Sequence, residues 1–82
     1  MKQTQEEKQW MANYFNIPIE ETISFNSGNC FATAIVRTEQ SANKIAEKVK
    51  DKVVNGGNYD GMKLGRISPI KLNEELVYSV MC

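Results

Sequence analysis

Residues 30–57 read CFATAIVRTEQSANKIAEKVKDKVVNGG, and this stretch decides the fold. It opens at 30–36 with an apolar run rich in β-branched residues, which is typical of a strand. Thr38 follows with a hydroxyl that can cap a helix. Apolar residues then recur at spacings of three and four, which predicts an amphipathic helix over 39–54. The Asn-Gly-Gly run at 55–57 supplies residues that end such a helix.

The predicted strand has two unlike faces, because successive side chains of a strand point to opposite sides. The small set is Cys30, Ala32, Ala34 and Val36, and the larger set is Phe31, Thr33 and Ile35. A helix comes close to a sheet over small side chains, so we expect the 39–54 helix on the small face. The larger face either meets the N-terminal helix or stays partly open.

The N-terminal part of the chain predicts a short helix and one more strand. A capping-box pattern begins at Thr4, and apolar residues concentrate in the second half of a helix over 5–15. Asn16 can cap the end of this helix. Polar and apolar residues alternate at 22–25, and a turn cluster at 26–29 joins this segment to the next strand. A β-hairpin is therefore expected here.

The C-terminal part predicts a second hairpin. A strand over 62–72 is interrupted by Gly65 and Pro69, which marks a bulge or an edge position. Asn73-Glu74 makes a tight turn, and 75–81 form the last strand. Residues 1–82 are thus expected to form one small α+β domain in the order α-β-β-α-β-β, with a largely antiparallel sheet and the 39–54 helix on one face.

The residue inventory excludes most catalytic chemistry. The chain contains no histidine, so Ser-His and Cys-His nucleophile systems cannot form within it, and the commonest metal ligand is missing. Its two cysteines lack the spacing of a zinc site. Neighbouring carboxylates at 20–21 and 74–75 point to opposite faces of an extended chain, cannot share a proton, and are expected to be solvated. We therefore expect no catalytic residue, no metal and no cofactor, and interpret the protein as not being an enzyme.

Composition and charge favour a cytoplasmic protein. Ten basic and ten acidic residues cancel, so no net field attracts polyphosphates. The N-terminus lacks the apolar core of a signal peptide, and no apolar run is long enough to span a membrane. Two cysteines are too few for a disulfide scaffold. These features predict reduced thiols, with a Cys30–Cys82 bridge as the alternative, and no contact with a membrane.

Two groups of aromatic residues are candidates for a protein contact. Trp10 and Tyr14 lie on one side of the predicted first helix. They either complete the core or face a partner, since Trp and Tyr dominate interface hot spots. Tyr59 lies in the glycine-rich loop at 55–61, which is either a helix cap followed by a turn or a mobile recognition loop. The candidate partner-binding residues are therefore Trp10, Tyr14 and Tyr59.

A basic patch is the candidate for nucleic-acid contact. Lys44, Lys48 and Lys52 recur every four residues and would line one stripe of the predicted helix. Such a stripe can follow a phosphate backbone, and Lys63 and Arg66 would extend it. Interleaved acidic residues favour the simpler explanation of a solvated helix face.

The leading interpretation is a non-enzymatic protein-binding module, an inhibitor or adaptor that occupies a partner's surface. In size and style, though in no motif, the chain resembles the small inhibitors that phages and mobile elements encode. We expect a protein partner, and a homodimer is one form that this contact could take. The alternative is a nucleic-acid-associated protein that uses the lysine stripe.

Overall fold

The computed structural model describes residues 5–28 and 31–82. Within these residues the chain forms two helices, α1 (Gln5–Phe15) and α2 (Glu39–Val49), and four strands, β1 (Thr22–Ser27), β2 (Ala32–Val36), β3 (Ile67–Leu72) and β4 (Glu75–Met81). Single 3₁₀ turns lie at Ile19–Glu21 and Gly57–Tyr59. The order α-β-β-α-β-β confirms the predicted fold class.

The described strands form one sheet in the order β1-β2-β4-β3, and every neighbouring pair is antiparallel. Both predicted hairpins are therefore present. Strands β2 and β4 lie in the middle, where Ala34 is opposite Val80 and Val36 is opposite Tyr78. Because paired residues share a face, these four side chains lie on the same side of the sheet.

Both helices pack on this side of the sheet. The buried core combines residues from α1, α2 and the two central strands, namely Met11, Phe15, Ile17, Ala34, Val36, Ala42, Ile45 and Val80. The small-residue face of β2 accepts α2, as predicted. Helix α1 joins α2 there, so the face that carries Thr33, Ile35, Ser79 and Met81 is covered by neither helix. We call it the helix-free face.

The end of α1 has the predicted cap. Asn16 adopts a left-handed conformation with φ of 57°, and the backbone N–H of Ile17 donates to Ala12 O at 3.0 Å. This long backbone bond and the left-handed residue together form a Schellman motif, which satisfies a carbonyl at the helix terminus. The capping box predicted at Thr4 lies outside the described residues.

Helix α2 ends earlier than predicted, at Val49 instead of residue 54. The N–H of Lys52 donates to Val49 O at 2.9 Å, and Val53 then forms an antiparallel bridge with Lys63. Pairing with the chain that returns toward β3 therefore replaces the last helical turn. Val53, which lies within the range predicted as helix, is exposed.

Strand β1 is longer than predicted. Strand β1 continues through Asn26 and Ser27, and Gly28 N–H donates to Phe31 O at 2.8 Å. The predicted turn residues at 26–27 are thus part of the ladder. Cys30, predicted to begin the second strand, lies outside the described residues.

Pro69 occupies an edge strand, as predicted. Strand β3 pairs only with β4 within the described sheet. The N–H of Met81 donates to Arg66 O at 3.0 Å, so Arg66 and Met81 form a hydrogen-bonded pair. Hydrogen-bonded and non-hydrogen-bonded pairs alternate along an antiparallel ladder, so the hydrogen-bonded pairs of β3 fall at its even-numbered residues. Pro69 is odd-numbered, so its missing N–H lies on the outer side of the sheet and costs no ladder bond.

Candidate functional site

Trp10 and Tyr14 form an exposed aromatic pair on α1. Their rings stack with centroids 5.1 Å apart and planes 10° apart. Trp10 also meets Phe25 of β1 edge to face at 5.2 Å, and Tyr14 meets Phe15 in the same way at 5.0 Å. Yet Trp10 stays 45% exposed and Tyr14 43% exposed. Each ring therefore touches the core with one part and leaves the rest accessible.

Lysines of the candidate basic patch border this pair. Lys48 places its Nζ 4.5 Å from the centroid of the Tyr14 ring, a cation–π contact. Lys44 donates from Nζ to Asn16 O at 3.2 Å, at the end of α1. Lys52 lines a groove of about 210 Å³ together with Trp10 and Tyr14. We call Trp10, Tyr14, Lys44, Lys48 and Lys52 the aromatic–lysine surface.

The surface is shallow and mixed in charge. A second groove, of about 380 Å³, is lined by Tyr14, Lys44, Lys48 and the acidic Glu47. Glu47 is itself paired with Lys50, whose Nζ lies 3.1 Å from its carboxylate. The surface therefore carries three lysines around two aromatic rings and one carboxylate that already has a cationic partner.

The other basic candidates lie elsewhere. Lys52 follows the end of α2, so the predicted helical stripe holds only for Lys44 and Lys48. Lys63 lies opposite Val53 in the segment before β3. Arg66 is next to β3, and its pairing with Met81 places its side chain on the helix-free face. The structure thus joins Lys44, Lys48 and Lys52 to the aromatic pair and leaves Lys63 and Arg66 apart.

Tyr59 belongs to a different region. It ends the 3₁₀ turn Gly57–Tyr59, is 50% exposed, and meets Phe31 edge to face at 5.3 Å. Neither groove of the aromatic–lysine surface includes it. The three predicted partner-binding residues are therefore divided between two sites.

Cys82 lies behind the aromatic pair. Its side chain lines the groove beside Trp10 and packs against the buried core. Burial raises the pKa of the Cys82 thiol, so the thiolate that reacts with oxidants and metals is disfavoured. The Cys82 thiol is thus half-buried. Cys30, and with it a Cys30–Cys82 bridge, lies outside the described residues.

One polar network was missed by the sequence analysis. Thr38 caps α2, since its Oγ1 accepts from Ser41 N–H at 3.2 Å. Glu21 then accepts from the hydroxyls of Thr38, at 2.6 Å, and of Ser41. These two hydroxyls, with Lys44 as a further favourable charge, hold the pKa of Glu21 below its ordinary value. The sequence predicted only the Thr38 cap of this network, because Glu21 precedes β1 and is brought to α2 by the tertiary fold.

Glu75 is also more than a solvated turn charge. Arg37 Nη1 donates to both of its carboxylate oxygens at 2.8 Å, and Arg37 Nε donates to Glu20 O at 3.1 Å. The pair ties the end of β2 to the start of β4. Both side chains are about half exposed, so the contribution to stability is small.

The described residues show neither a metal cluster nor a membrane-spanning helix. Over 5–28 and 31–82, no three His, Cys, Asp or Glu side chains are grouped so that they could hold a metal ion. Neither helix in this part of the chain is both long and apolar enough to cross a membrane.

In comparisons with known proteins, no family model, no curated protein and no solved structure matches the chain.

Proposed function

We propose that this protein is a non-enzymatic protein-binding module, an inhibitor or adaptor of the kind that phages and mobile elements encode. It acts by occupying a partner's surface through the aromatic–lysine surface. The observation that carries the proposal is the stacked pair of Trp10 and Tyr14, with each ring nearly half exposed. Large aromatic side chains that remain accessible are the residues most often found at the centre of protein interfaces.

The pair is already ordered for binding. Stacking fixes the two rings against each other, while Phe25 and Phe15 hold them from below. Little side-chain freedom is then lost when a partner covers the rings, and this lowers the entropic cost of association. Lys48 over the Tyr14 ring adds a fixed positive charge at the rim.

The charge of the surface indicates the character of the partner. Lys44, Lys48 and Lys52 surround the rings, and the nearby Glu47 is paired with Lys50. An apolar patch flanked by carboxylates on the partner would complement this arrangement. Charged rim residues mainly raise the association rate, whereas buried aromatic residues slow dissociation. A cytoplasmic location belongs to the same proposal and is supported by the low cysteine count.

The test is a pull-down from native lysate with tagged protein, with and without nuclease, followed by mass spectrometry. The double variant Trp10→Ala/Tyr14→Ala is expected to lose a nuclease-resistant partner, with affinity reduced at least about 30-fold, as for hot-spot residues. Circular dichroism checks that the variant keeps its fold. Size-exclusion chromatography with light scattering distinguishes a second copy of the chain from a foreign partner.

Leu76→Ala is the matched control, because Leu76 is a similarly exposed apolar residue, at 48%, on β4. It should bind as the unaltered protein does. Equal binding by the double variant and the unaltered protein would refute the proposed contact surface. Unfolding caused by Trp10→Ala alone would assign Trp10 to the core.

Nucleic-acid binding is the second candidate function. The observation that favours it is the position of Lys48 against the ring of Tyr14, with Lys44 and Lys52 on either side along the chain. Exposed aromatic rings with flanking lysines are the combination that binds single strands, through base stacking and phosphate contacts.

This candidate predicts retention on single-stranded DNA that falls steeply with salt. The triple reversal Lys44→Glu/Lys48→Glu/Lys52→Glu should abolish retention. The matched control, Lys63→Glu/Arg66→Glu, changes charges away from the aromatic–lysine surface and should reduce it only slightly. Retention that is indifferent to salt would reject this function.

A further inference from the structure

A cleft of about 610 Å³ lies where the end of the β1–β2 hairpin meets the loop after α2. Asn26 and Thr33 line it from the hairpin, Asn58 and Tyr59 line it from the loop, and Phe31 lies between them. We call these five residues the hairpin cleft. It shares no lining residue with the grooves of the aromatic–lysine surface. A ligand bound here would therefore contact none of the residues that line those grooves.

Two aromatic rings form one wall of the cleft. Phe31 and Tyr59 meet edge to face, with centroids 5.3 Å apart and planes 87° apart. This geometry uses the edge of one ring and leaves ring surface available to a ligand. Tyr59 is half exposed, so its ring is accessible.

The loop that carries Tyr59 is braced. Asp60 accepts from Gly56 N–H through its carboxylate at 2.6 Å. Gly61 N–H donates to Val54 O at 2.9 Å, and Met62 N–H donates to Tyr59 O at 3.0 Å. Helix α2 has already ended at Val49, so the glycines at 56–57 do not cap it as predicted, and these hydrogen bonds instead hold the loop as a turn. A ligand that binds against Tyr59 meets a largely preformed wall.

The polar groups of the cleft are all uncharged. The sequence has no charged residue in 22–36 or in 53–59, the two segments that meet here. Asn26 and Thr33 are cross-strand partners, so an amide and a hydroxyl lie side by side. Among the residues that line the cleft, a charged ligand would find no countercharge to replace the hydration it loses, which is unfavourable. A neutral ligand with many hydroxyl groups has no such cost.

We propose that the hairpin cleft binds a neutral saccharide. The C–H face of a sugar ring packs on an aromatic ring, and its hydroxyls both donate and accept hydrogen bonds. The side chains of Asn26, Thr33, Asn58 and Tyr59 also both donate and accept. The volume lies within the range of small-molecule sites. A flat nucleobase fits less well, because it favours a slot between facing rings and these two rings meet edge to face.

The test is a titration followed by ¹H–¹⁵N NMR spectra of the full chain. The probes are maltose, lactose and N,N′-diacetylchitobiose, each raised to roughly 20 mM, the range needed for weak ligands. At least one saccharide is expected to shift the backbone amides at 26–28 and 57–59 saturably. A dissociation constant of about 1 mM suits a ligand of this size. Adenosine and glucose 6-phosphate should give no saturable shift.

Matched variants of Tyr59 locate the binding. Tyr59→Ala removes the ring and should weaken saccharide binding about tenfold. Tyr59→Phe keeps the ring and should stay within about threefold of the unaltered protein, the effect of one exposed hydroxyl. Leu76→Ala, outside the cleft, should have no effect, and the spectrum of each free variant reports whether it is folded.

Three results would overturn the proposal. One is that none of the three saccharides shifts the amides of the cleft. Another is that the shifts persist unchanged in a folded Tyr59→Ala variant. The third is saturable binding of adenosine or glucose 6-phosphate at these amides in preference to every saccharide.

Discussion

Glu21 is the residue whose role changes most between sequence and structure. Its neighbour in sequence is Glu20, and two adjacent glutamates suggest solvated charges. The fold instead places the Glu21 carboxylate at the start of α2, where Thr38 and Ser41 donate to it. A negative charge at a helix N-terminus is favourable, and it here completes a cap from outside the helix.

We expect Glu21→Gln to lower the free energy of unfolding by about 1 kcal/mol at pH 7. Because the pKa of Glu21 is lower in the folded protein, its ionised form contributes stability above the unfolded pKa, about 4.5. That contribution is lost as the pH falls through the folded value. Urea unfolding at pH 7 and pH 3 should therefore show a difference between the two proteins that shrinks in acid.

Glu20→Gln is the control, because the Glu20 side chain is exposed and only its carbonyl oxygen accepts from Arg37. It should leave stability nearly unchanged at both pH values. A Glu21→Gln difference of the same size at pH 3 and pH 7 would contradict the assigned role of the carboxylate.

Glu74 occupies a conformation that disfavours it. In the turn between β3 and β4, Asn73 has φ of 51° and Glu74 has φ of 68°. Two positive φ values in a two-residue hairpin define a type I′ turn, which prefers Asn-Gly. Asn73 suits its position, whereas Glu74 stands where glycine is preferred.

We expect Glu74→Gly to raise the free energy of unfolding by about 0.5–1 kcal/mol, since relief of backbone strain outweighs the added freedom of the unfolded chain. Thermal or urea denaturation measures it. Asn73→Gly is the comparison and should gain less, because asparagine tolerates left-handed conformations. If the Glu74→Gly protein is less stable than the unaltered one, backbone strain at Glu74 is not what limits the stability of this hairpin.

The segment that leads into β3 packs closely against α2. Gly65 has φ of +93°, and a Cβ placed on it would lie 3.2 Å from Ala46 O and 3.5 Å from Lys50 Cα. Its N–H donates to Met81 O at 2.7 Å. The same backbone therefore pairs with β4 and presses on α2, which explains why a glycine interrupts this segment.

We expect Gly65→Ala to lower the free energy of unfolding by about 2–4 kcal/mol, through backbone strain and crowding against α2 together. Gly61→Ala separates the two effects. Gly61 has a similar φ of +87° but no atom within 4 Å of the added Cβ. Urea denaturation should show a clearly larger loss for Gly65→Ala, and equal losses would rule out the packing contribution.

The two helices share one face of the sheet, and this arrangement sets where the candidate surfaces lie. With α1 beside α2, Trp10 and Tyr14 lie next to Lys48. The aromatic residues predicted to bind a partner and the lysines predicted to bind nucleic acid therefore form one surface. The same packing leaves Thr33 on the helix-free face, where it lines the hairpin cleft with Tyr59. The fold therefore presents two surfaces of different chemistry, one aromatic and basic, the other aromatic and neutral.

Much of the architecture was predictable from local patterns. Helix α1, strand β4, the Asn73-Glu74 turn, the Thr38 and Asn16 caps and the edge position of Pro69 all follow from residues within a few positions of each other. The end of α2 at Val49 did not, because a long-range pairing between Val53 and Lys63 overrides helix propensity. The residues of the aromatic–lysine surface were predicted as candidates, but their grouping was not, and of the hairpin cleft only Tyr59 was predicted.

The sequence by itself determined the elements, their order and the face of β2 that α2 covers, since side-chain periodicity and size act locally. Only the tertiary structure decided on which face α1 packs, which lysines adjoin Trp10 and Tyr14, and that Glu21 completes the cap of α2. These outcomes depend on how separate elements fit together around one core. No local pattern encodes contacts between residues that lie 17 or more positions apart in the chain.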